Sequence, residues 1–239
     1  MNIFRKLLFT STVSSILLAS AVTQAQTSAD LVQDSLDSGD RPSADAADDA
    51  RRMPLEVLAF AGIEEGMTIL EMEAGGGYYT EIMSRAVGAN GNIIMQNPPA
   101  FDGFNGEAVQ ARLADNRLSN VNFTRVNFDE LEAPNGSVDM VTWILGPHEL
   151  WFEPGGQNLG DPEDTFSEIA RVLKPGGVFL AIDHDAQADA VTAVGGTLQR
   201  IYEGVGNYLS EGAGLSLVRR AKLPRLSCHH LLRRSTPLK

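Results

Sequence analysis

The stretch that decides the fold is "ILEMEAGGGYYTE", residues Ile69 to Glu81, where an apolar run meets three consecutive glycines. Met67 to Met72 is a short apolar run that begins after Gly66, which predicts a buried strand. Tyr79 to Val87 carries apolar residues at helical spacing and predicts a helix. At the end of a buried strand, glycines let the backbone approach a ligand, and the free N–H groups of the next helix favour an anionic group. On this stretch alone, a tight turn without a ligand is the alternative.

The segments after the glycine loop alternate between strand and helix patterns. The predicted strands are Asn92 to Gln96, Val121 to Phe128, Val138 to Leu145 and Val178 to Asp183. The predicted helices are Glu107 to Leu118 and Asp164 to Leu173, the second closed by Lys174-Pro175-Gly176-Gly177. Strands that alternate with helices imply parallel pairing with right-handed crossovers. The fold class is therefore α/β, with a doubly wound, mainly parallel sheet.

The N-terminus has the pattern of a secretory signal peptide, predicted here as residues 1–25. Two positive charges in "MNIFRK" precede an uncharged stretch that ends in small residues, with Thr23 and Ala25 as the cleavage pair. A membrane anchor is the alternative, but the stretch is short of the ~20 mainly apolar residues that a span needs. We therefore expect a secreted or periplasmic protein with no membrane span after cleavage.

Charge and cysteine content exclude several classes of function. The formal net charge of -12 argues against a nucleic-acid partner, which favours a basic surface. Cys228 is the one cysteine, so it has no internal disulfide partner, and the sequence has no cysteine and histidine spacing typical of zinc sites. We expect a fold held together by packing, without a metal.

Composition divides the rest of the chain into three parts. Residues 26–53 form an acidic lead-in, interpreted as solvated rather than core, because residues 30–49 hold seven aspartates and almost no large apolar residue. Residues 54–218 form the predicted α/β domain. Residues 219–239 are a basic tail without acidic residues, interpreted as irregular or as a tether to an anionic surface.

Three segments resemble class I methyltransferases, which use S-adenosyl-L-methionine (SAM). "ILEMEAGGGYYTE" is similar to their first motif, "SVDMVTWIL" to the fourth strand, and "FSEIARVLKPGGVFLAIDH" to the following helix, turn and fifth strand. The run from Arg41 to Asp185 also resembles a group of exported, methyltransferase-like bacterial proteins. The resemblance implies a Rossmann-like sheet, SAM as the cofactor and a methyl acceptor that the sequence does not identify. A nicotinamide site would need a third glycine, and Thr80 stands at that position.

The resemblance also implies a set of cofactor-binding residues. Glu71 is expected near the methionine end of SAM, the glycines give backbone access, Asn97 lies at the ribose position, and the residues after the third strand lie at the adenine. The full set is Glu71, Gly75, Gly76, Gly77, Asn97, Asn127, Phe128 and Asp129. The sequence departs from the family pattern at Glu73, Asn97 and Asn127, where a glycine and two acidic residues are common. Neutral amides form weaker hydrogen bonds than carboxylates, so we expect weakened cofactor binding.

The segment "WILGPHELWF" supplies the catalytic candidates. His148 is a candidate general base and Glu149 the residue that orients it, because an unperturbed imidazole titrates near pH 6.5. Trp143, Trp151 and Phe152 are candidates for the acceptor pocket. The alternative is a structural histidine that hydrogen-bonds the backbone beside core aromatic residues. Asp183 and His184, at the end of the fifth strand, are expected to be structural.

We therefore expect an exported SAM-dependent methyltransferase that acts on a small-molecule or other acceptor. The alternative is a binding protein that retains the fold without the chemistry, because SAM is made in the cytosol. Tyr202 to Glu211 predicts a further helix and Leu215 to Val218 a sixth strand, but no convincing seventh strand follows. If that strand is absent, we expect lower stability or a homodimer formed through the exposed sheet edge.

Overall fold

The computed structural model describes residues 26–188, 190–223 and 228–235. The predicted signal peptide, residues 1–25, lies outside these ranges and stays a prediction. Across the described ranges, no helix is both long enough and apolar enough to span a membrane.

Helices precede, separate and follow the strands. They are α1 (Ser28–Leu36), α2 (Ser43–Ala46), α3 (Asp49–Arg52), α4 (Pro54–Ala61), α5 (Tyr78–Ala86), α6 (Asp102–Leu113), α7 (Pro162–Val172), α8 (Val194–Leu198) and α9 (Glu203–Gly212). Short 3₁₀ turns lie at Pro99–Phe101, Ala114–Asn116, Pro147–Trp151 and Pro154–Gly156. Local sequence explains the ends of these helices. For example, α7 begins at Pro162, and the Asp161 side chain accepts hydrogen bonds from the N–H groups of Glu163 and Asp164.

The strands form one sheet with the order β3-β2-β1-β4-β5-β7-β6. They are β1 (Thr68–Met72), β2 (Asn92–Gln96), β3 (Val121–Thr124), β4 (Val138–Ile144), β5 (Leu173–His184), β6 (Leu215–Leu223) and β7 (Cys228–Ser235). Strands β1 to β5 pair in parallel, and β7 pairs antiparallel with both β5 and β6. The predicted doubly wound, mainly parallel α/β class is confirmed.

Hydrophobic cores lie on both faces of the sheet. On β1, Ile69 belongs to the core that includes α1, α4 and α5, whereas Leu70 and Met72 belong to the core that includes α7. Side chains alternate between faces along a strand, and both faces of this parallel sheet are covered. This explains why the central strands have continuous apolar sequences. It also places the carboxyl ends of β1, β2 and β4 beside one another.

The described residues of the basic tail, 219–223 and 228–235, form strands, so the prediction of an irregular tail is wrong for them. Residues 215–223 and 228–235 form β6 and β7, and β7 pairs with β5 from Val178 to His184. Backbone hydrogen bonds form a strand whatever the side-chain charge, and lysine and arginine are common at sheet edges. The dimer was expected because β5 would have an unpaired edge, but β7 pairs with that edge. This reason for a dimer is therefore wrong, and whether the protein forms one stays untested.

The acidic lead-in is also misinterpreted as a solvated segment. Helix α1 packs against α4 and α5, and Leu31 and Val32 are buried in the core of that face. Several of its aspartates pair with arginines of the chain. Asp49 pairs with Arg41, and Asp45 pairs with Arg112. A high local content of aspartate therefore marks partners elsewhere in the fold rather than disorder.

We predict that Leu31→Ala lowers the free energy of unfolding by roughly 2–5 kcal/mol, because it removes buried methyl groups and leaves a cavity. Leu198→Ala is the matched control, since Leu198 is 62% exposed and Leu31 only 7% exposed. We expect the control to change stability by less than about 0.5 kcal/mol. Urea denaturation measures both. An equal change in the free energy of unfolding for both variants would mean that Leu31 is not part of the core and that the lead-in is a solvated segment.

Candidate cofactor-binding site

The glycine loop runs from Met72, the last residue of β1, to Tyr78, the first residue of α5. Two features of the structure favour glycine in this loop. One is backbone conformation, since Gly75 has φ 58° and Gly77 has φ 82°. The other is the close approach of α6. A Cβ on Gly76 would lie 3.0 Å from Ala108 Cβ, and one on Gly77 would lie 3.0 Å from Arg112 Cγ. At Gly75 the nearest atom is 3.9 Å away, so Gly75 is the one of the three glycines with free space beside its Cα.

Glu73 adopts the left-handed backbone conformation that a glycine normally occupies, with φ 51°. Its N–H donates to Gln96 Oε1 at 2.9 Å, and its Oε2 accepts a hydrogen bond from Trp143 Nε1 at 3.0 Å. Although Glu73 keeps some exposed surface, burial of the carboxyl, helped by the charge of Glu149, raises the pKa of Glu73 well above its usual range. Burial therefore favours the protonated form of Glu73, and its side chain joins the glycine loop to β4.

Two consecutive amides at the end of β2 hold the loop in place. Asn97 Oδ1 accepts from the Gly75 N–H at 2.8 Å, and Asn97 Nδ2 donates to the Gly75 carbonyl at 2.9 Å. The fully buried Gln96 donates from Nε2 to the Val126 carbonyl at 2.6 Å. Asn97 lies where the resemblance placed it, but its amide already bonds the loop backbone, so its ribose role stays a prediction. Gln96 was missed, although a polar residue that ends a buried strand was a usable signal.

A cleft opens on the loop, with an empty volume of about 970 Å³ including open solvent. The glycine loop and Glu71 line it from the sheet, α6 lines it from one side, and the lead-in lines it from another. Its lining includes Asp45, Asp48, Arg52, Glu71, Glu73, Gly75, Gly76, Tyr78, Tyr79, Asn105, Ala108, Arg112 and Leu145. The acidic lead-in is therefore a wall of the candidate site.

Arg112 joins the walls of this cleft. Its Nε donates to the Gly76 carbonyl at 3.1 Å, its Nη1 pairs with Asp45 Oδ2 at 2.6 Å, and the same nitrogen lies 3.2 Å from Glu81 Oε2. Glu81 is fully buried and also pairs with Arg85 and Arg117. Burial opposes ionisation of Glu81, but the three guanidinium groups hold its pKa below the usual range. The loop, α5, α6 and the lead-in thus share one network of buried charges.

Glu71 has the chemistry expected at a cationic ligand group. It is 4% exposed, lines the cleft, and its Oε2 accepts a hydrogen bond from Thr80 Oγ1. Burial raises the pKa of Glu71 to about 8, against the opposing effects of the Thr80 hydrogen bond and the charges of Arg112 and Arg52. A cation placed beside this carboxyl would favour its ionised form.

His148 and Glu149 do not line this cleft; they lie in the turn after β4. His148 Nδ1 lies 2.8 Å from Asp183 Oδ1, the His148 N–H donates to Asp183 Oδ2 at 2.8 Å, and Nε2 lies 3.4 Å from Glu149 Oε1. Burial opposes protonation, but the hydrogen bond to Asp183 and the charges of Asp183 and Glu149 outweigh it and raise the pKa of His148 to about 10. A general base must be unprotonated, so this geometry favours the structural alternative. The catalytic assignment of His148 and Glu149 stays a prediction.

The adenine candidates are not among the residues that line the cleft. Phe128 is fully buried and packs on Trp143 with ring centroids 4.7 Å apart, and its N–H donates to the Leu159 carbonyl. Asp129 Oδ2 accepts from the Asp161 N–H at 3.0 Å. Asn127 is partly exposed beside them. Their adenine contacts stay predictions, as do the acceptor contacts of Trp151 and Phe152.

The chain has the class I methyltransferase sheet, with a glycine-rich cleft at the end of β1. The ubiE/COQ5 methyltransferase family matches residues 52–193, and the chain belongs to this family. S-Adenosylmethionine is the cofactor that this family and the similar structures support. The residues present fit this cofactor. Gly75, which has a positive φ angle and free space beside its Cα, and the buried carboxyl of Glu71 line one cleft.

Curated relatives are named ubiquinone/menaquinone biosynthesis C-methyltransferase UbiE. The protein of Hahella chejuensis is 25% identical over 137 residues, which is 56% of this chain and 49% of the relative. The protein of Idiomarina loihiensis is 25% identical over a region that is 60% of this chain and 50% of the relative. The chain spans about half the length of the curated relatives it matches.

Solved structures support the fold at low sequence identity. A SAM-dependent methyltransferase from Aquifex aeolicus superposes with a TM-score of 0.64 at 20% identity, covering 80% of this chain and 93% of that chain. An arsenic (III) S-adenosylmethionine methyltransferase from Chlamydomonas reinhardtii superposes with a TM-score of 0.58 at 17% identity, covering 87% and 74%.

We predict that, as pH increases, the Glu73→Gln variant becomes more stable than the unchanged protein. The folded-state pKa of Glu73 is raised, so its stabilising contribution is complete below the unfolded pKa and is lost as pH rises toward the folded value. Glutamine keeps an acceptor for Trp143 and does not titrate. The thermal midpoints of variant and unchanged protein should therefore be similar at pH 4, below the ordinary glutamate pKa of about 4.3, and the variant's should be higher at pH 9.

Glu65→Gln is the matched control, because Glu65 is exposed. Its difference from the unchanged protein should stay constant between the two pH values. A constant difference for Glu73→Gln as well would mean that Glu73 ionises as an exposed glutamate does.

Proposed function

We propose that this protein is an exported SAM-dependent methyltransferase that acts on a small-molecule acceptor. The observation that carries the proposal is the cleft in which the bare Gly75 and the buried Glu71 lie together at the carboxyl end of β1. The family match supports the methyltransferase class. The N-terminal pattern of residues 1–25 supports export.

The bound cofactor supplies an electrophilic methyl group on a sulfonium, which is already a good leaving group. The residues of the chain therefore need to bind and orient more than to transfer protons. Gly75 leaves room for the ligand against the backbone, and Asn97 and Gln96 fix that backbone. Glu71 offers a carboxyl to an ammonium group. Leu145, directly after β4, lines the same cleft.

A binding protein without catalytic activity is the second candidate. Two observations favour it: the Asn97 amide is occupied by Gly75, and His148 is held as an imidazolium between two carboxyl groups. The two candidates differ in turnover. Cofactor binding without methyl transfer to any acceptor in a broad screen would favour the binding protein.

Export has a direct test. If residues 1–25 are a signal peptide, N-terminal sequencing of the protein from the periplasm or medium should begin at Gln26. Full-length protein retained in the cytosol would contradict export and leave the cofactor site unaffected.

Cofactor binding is tested by thermal unfolding with and without SAM or S-adenosylhomocysteine. A ligand that binds only the folded state at 100 times its Kd stabilises by about 2.7 kcal/mol, which corresponds to a midpoint shift of ~5–10 °C in a domain of this size. We predict that Gly75→Ala removes most of this shift, because its methyl group occupies the cleft.

Gly88→Ala is the matched control. Gly88 has φ 67°, and no atom lies within 4 Å of the position that its Cβ would take, so the backbone strain resembles that at Gly75; Gly88 also lies outside the cleft lining. The control should retain the full ligand shift. The absence of any shift in the unchanged protein would contradict the proposed cofactor, and equal losses in both variants would contradict its location.

A further inference from the structure

The cleft contains two guanidinium groups, and their surroundings differ. Arg112 is engaged by the Gly76 carbonyl, Asp45 and Glu81, and its side chain is 10% exposed. The Arg52 side chain is 31% exposed, and its one hydrogen bond among the described residues runs from Nε to Asp48 Oδ2 at a long 3.3 Å. In the parts of the chain that the structure describes, the two terminal nitrogens of Arg52 donate no hydrogen bond. Of the two guanidinium groups, that of Arg52 therefore has N–H donors available to bind a ligand.

The tyrosines that begin α5 hold Arg52 in place. Tyr79 Oη donates to the Arg52 carbonyl at 2.7 Å, and the Arg52 guanidinium carbon lies 4.6 Å from the centroid of the Tyr78 ring. Tyr78 Oη in turn donates to Asp49 Oδ1 at 2.5 Å. The segment "GGGYYTE" thus fixes both the glycine loop and the end of α3. A guanidinium stacked on an aromatic ring keeps its planar edge available for a carboxylate.

The charges around Arg52 permit a carboxylate ligand. Asp48 is shared with Arg51, whose Nη2 lies 2.9 Å from Asp48 Oδ2. Asp45 is neutralised by Arg112. Glu71 lines the same cleft as a buried carboxyl, and the charge of Arg52 acts on it. The cleft therefore offers a cationic fork and an acidic group together, which is the complement of an α-amino acid with its carboxylate and ammonium.

We propose that Arg52 binds the carboxylate of the ligand's α-amino-acid end, opposite the ammonium site at Glu71, and makes the cleft selective for nucleosides that keep this end. The inference rests on the proposed function, since the ligand is SAM or its thioether product. It adds a specificity residue from the acidic lead-in. The family match begins at residue 52, so most of the lead-in lies outside the matched region.

The test compares S-adenosylhomocysteine with 5′-methylthioadenosine, which lacks the amino-acid end, by isothermal titration calorimetry on the purified protein. We expect the unchanged protein to bind S-adenosylhomocysteine more tightly. Arg52→Gln should weaken that binding by about 10- to 100-fold, as expected for a lost charge-assisted hydrogen bond, and leave 5′-methylthioadenosine within about twofold. The variant should fold, because the Tyr79 hydrogen bond uses the backbone carbonyl of residue 52.

Arg51→Gln is the matched control, since Arg51 is 63% exposed, shares Asp48 and does not line the cleft. It should leave both affinities within about twofold. Arg52→Lys, which keeps the charge without the fork, should lose less affinity than Arg52→Gln.

An unchanged affinity of Arg52→Gln for S-adenosylhomocysteine would overturn the inference and leave the proposed function intact. An equal loss for both ligands would also overturn it, because the effect would then be structural. Failure of the unchanged protein to bind either ligand would overturn the proposed function and the inference together.

Discussion

The guanidinium of Arg112 connects the parts of the chain that form the site. It bonds the Gly76 carbonyl, Asp45 of the lead-in and the buried Glu81 of α5. A buried ion pair is costly to break, because the remaining partner keeps an uncompensated charge. The position of α6 against the glycines, and of the lead-in across the cleft, depends on this side chain. Without it, Glu81 would retain only Arg85 and Arg117 as partners among the described residues.

This network explains part of the acidic composition. The net charge of -12 excludes some partners, but part of it is used inside the fold. Asp45 pairs with Arg112 at the site, Asp49 pairs with Arg41, and Asp30 forms a capping box with Thr27 at the start of α1. The two tyrosines after the glycines hold the same segment by their hydroxyl groups. The lead-in and the glycine loop are therefore one structural unit, and the cleft between them is the place where a ligand would contact both.

The sequence predicted the elements whose signal is local. The apolar runs that form β1, β2 and β4 and the helical spacing of α5 and α7 need no knowledge of distant residues, and they were confirmed. The lead-in and β7 were misinterpreted because their partners lie far away in the chain: Arg112 for Asp45, and β5 for a basic strand. At the site, the glycine loop was predicted from its pattern and Glu71 from the family resemblance; both line the cleft, and their contacts with a cofactor stay predictions. The occupied Asn97 amide and the contacts of His148 with Asp183 could not be predicted, since hydrogen-bond partners are a property of the fold. Gln96 was missed although its place at the end of a buried strand was a usable signal.

The central claim is that the cleft between the glycine loop and the lead-in is a SAM site. A crystal structure of the protein grown with S-adenosylhomocysteine tests it most directly. We expect the ligand in this cleft, with its amino-acid end between Glu71 and Arg52 and with Gly75 beside it. A ligand bound elsewhere on the protein, or crystals that contain no ligand at saturating concentration, would contradict it.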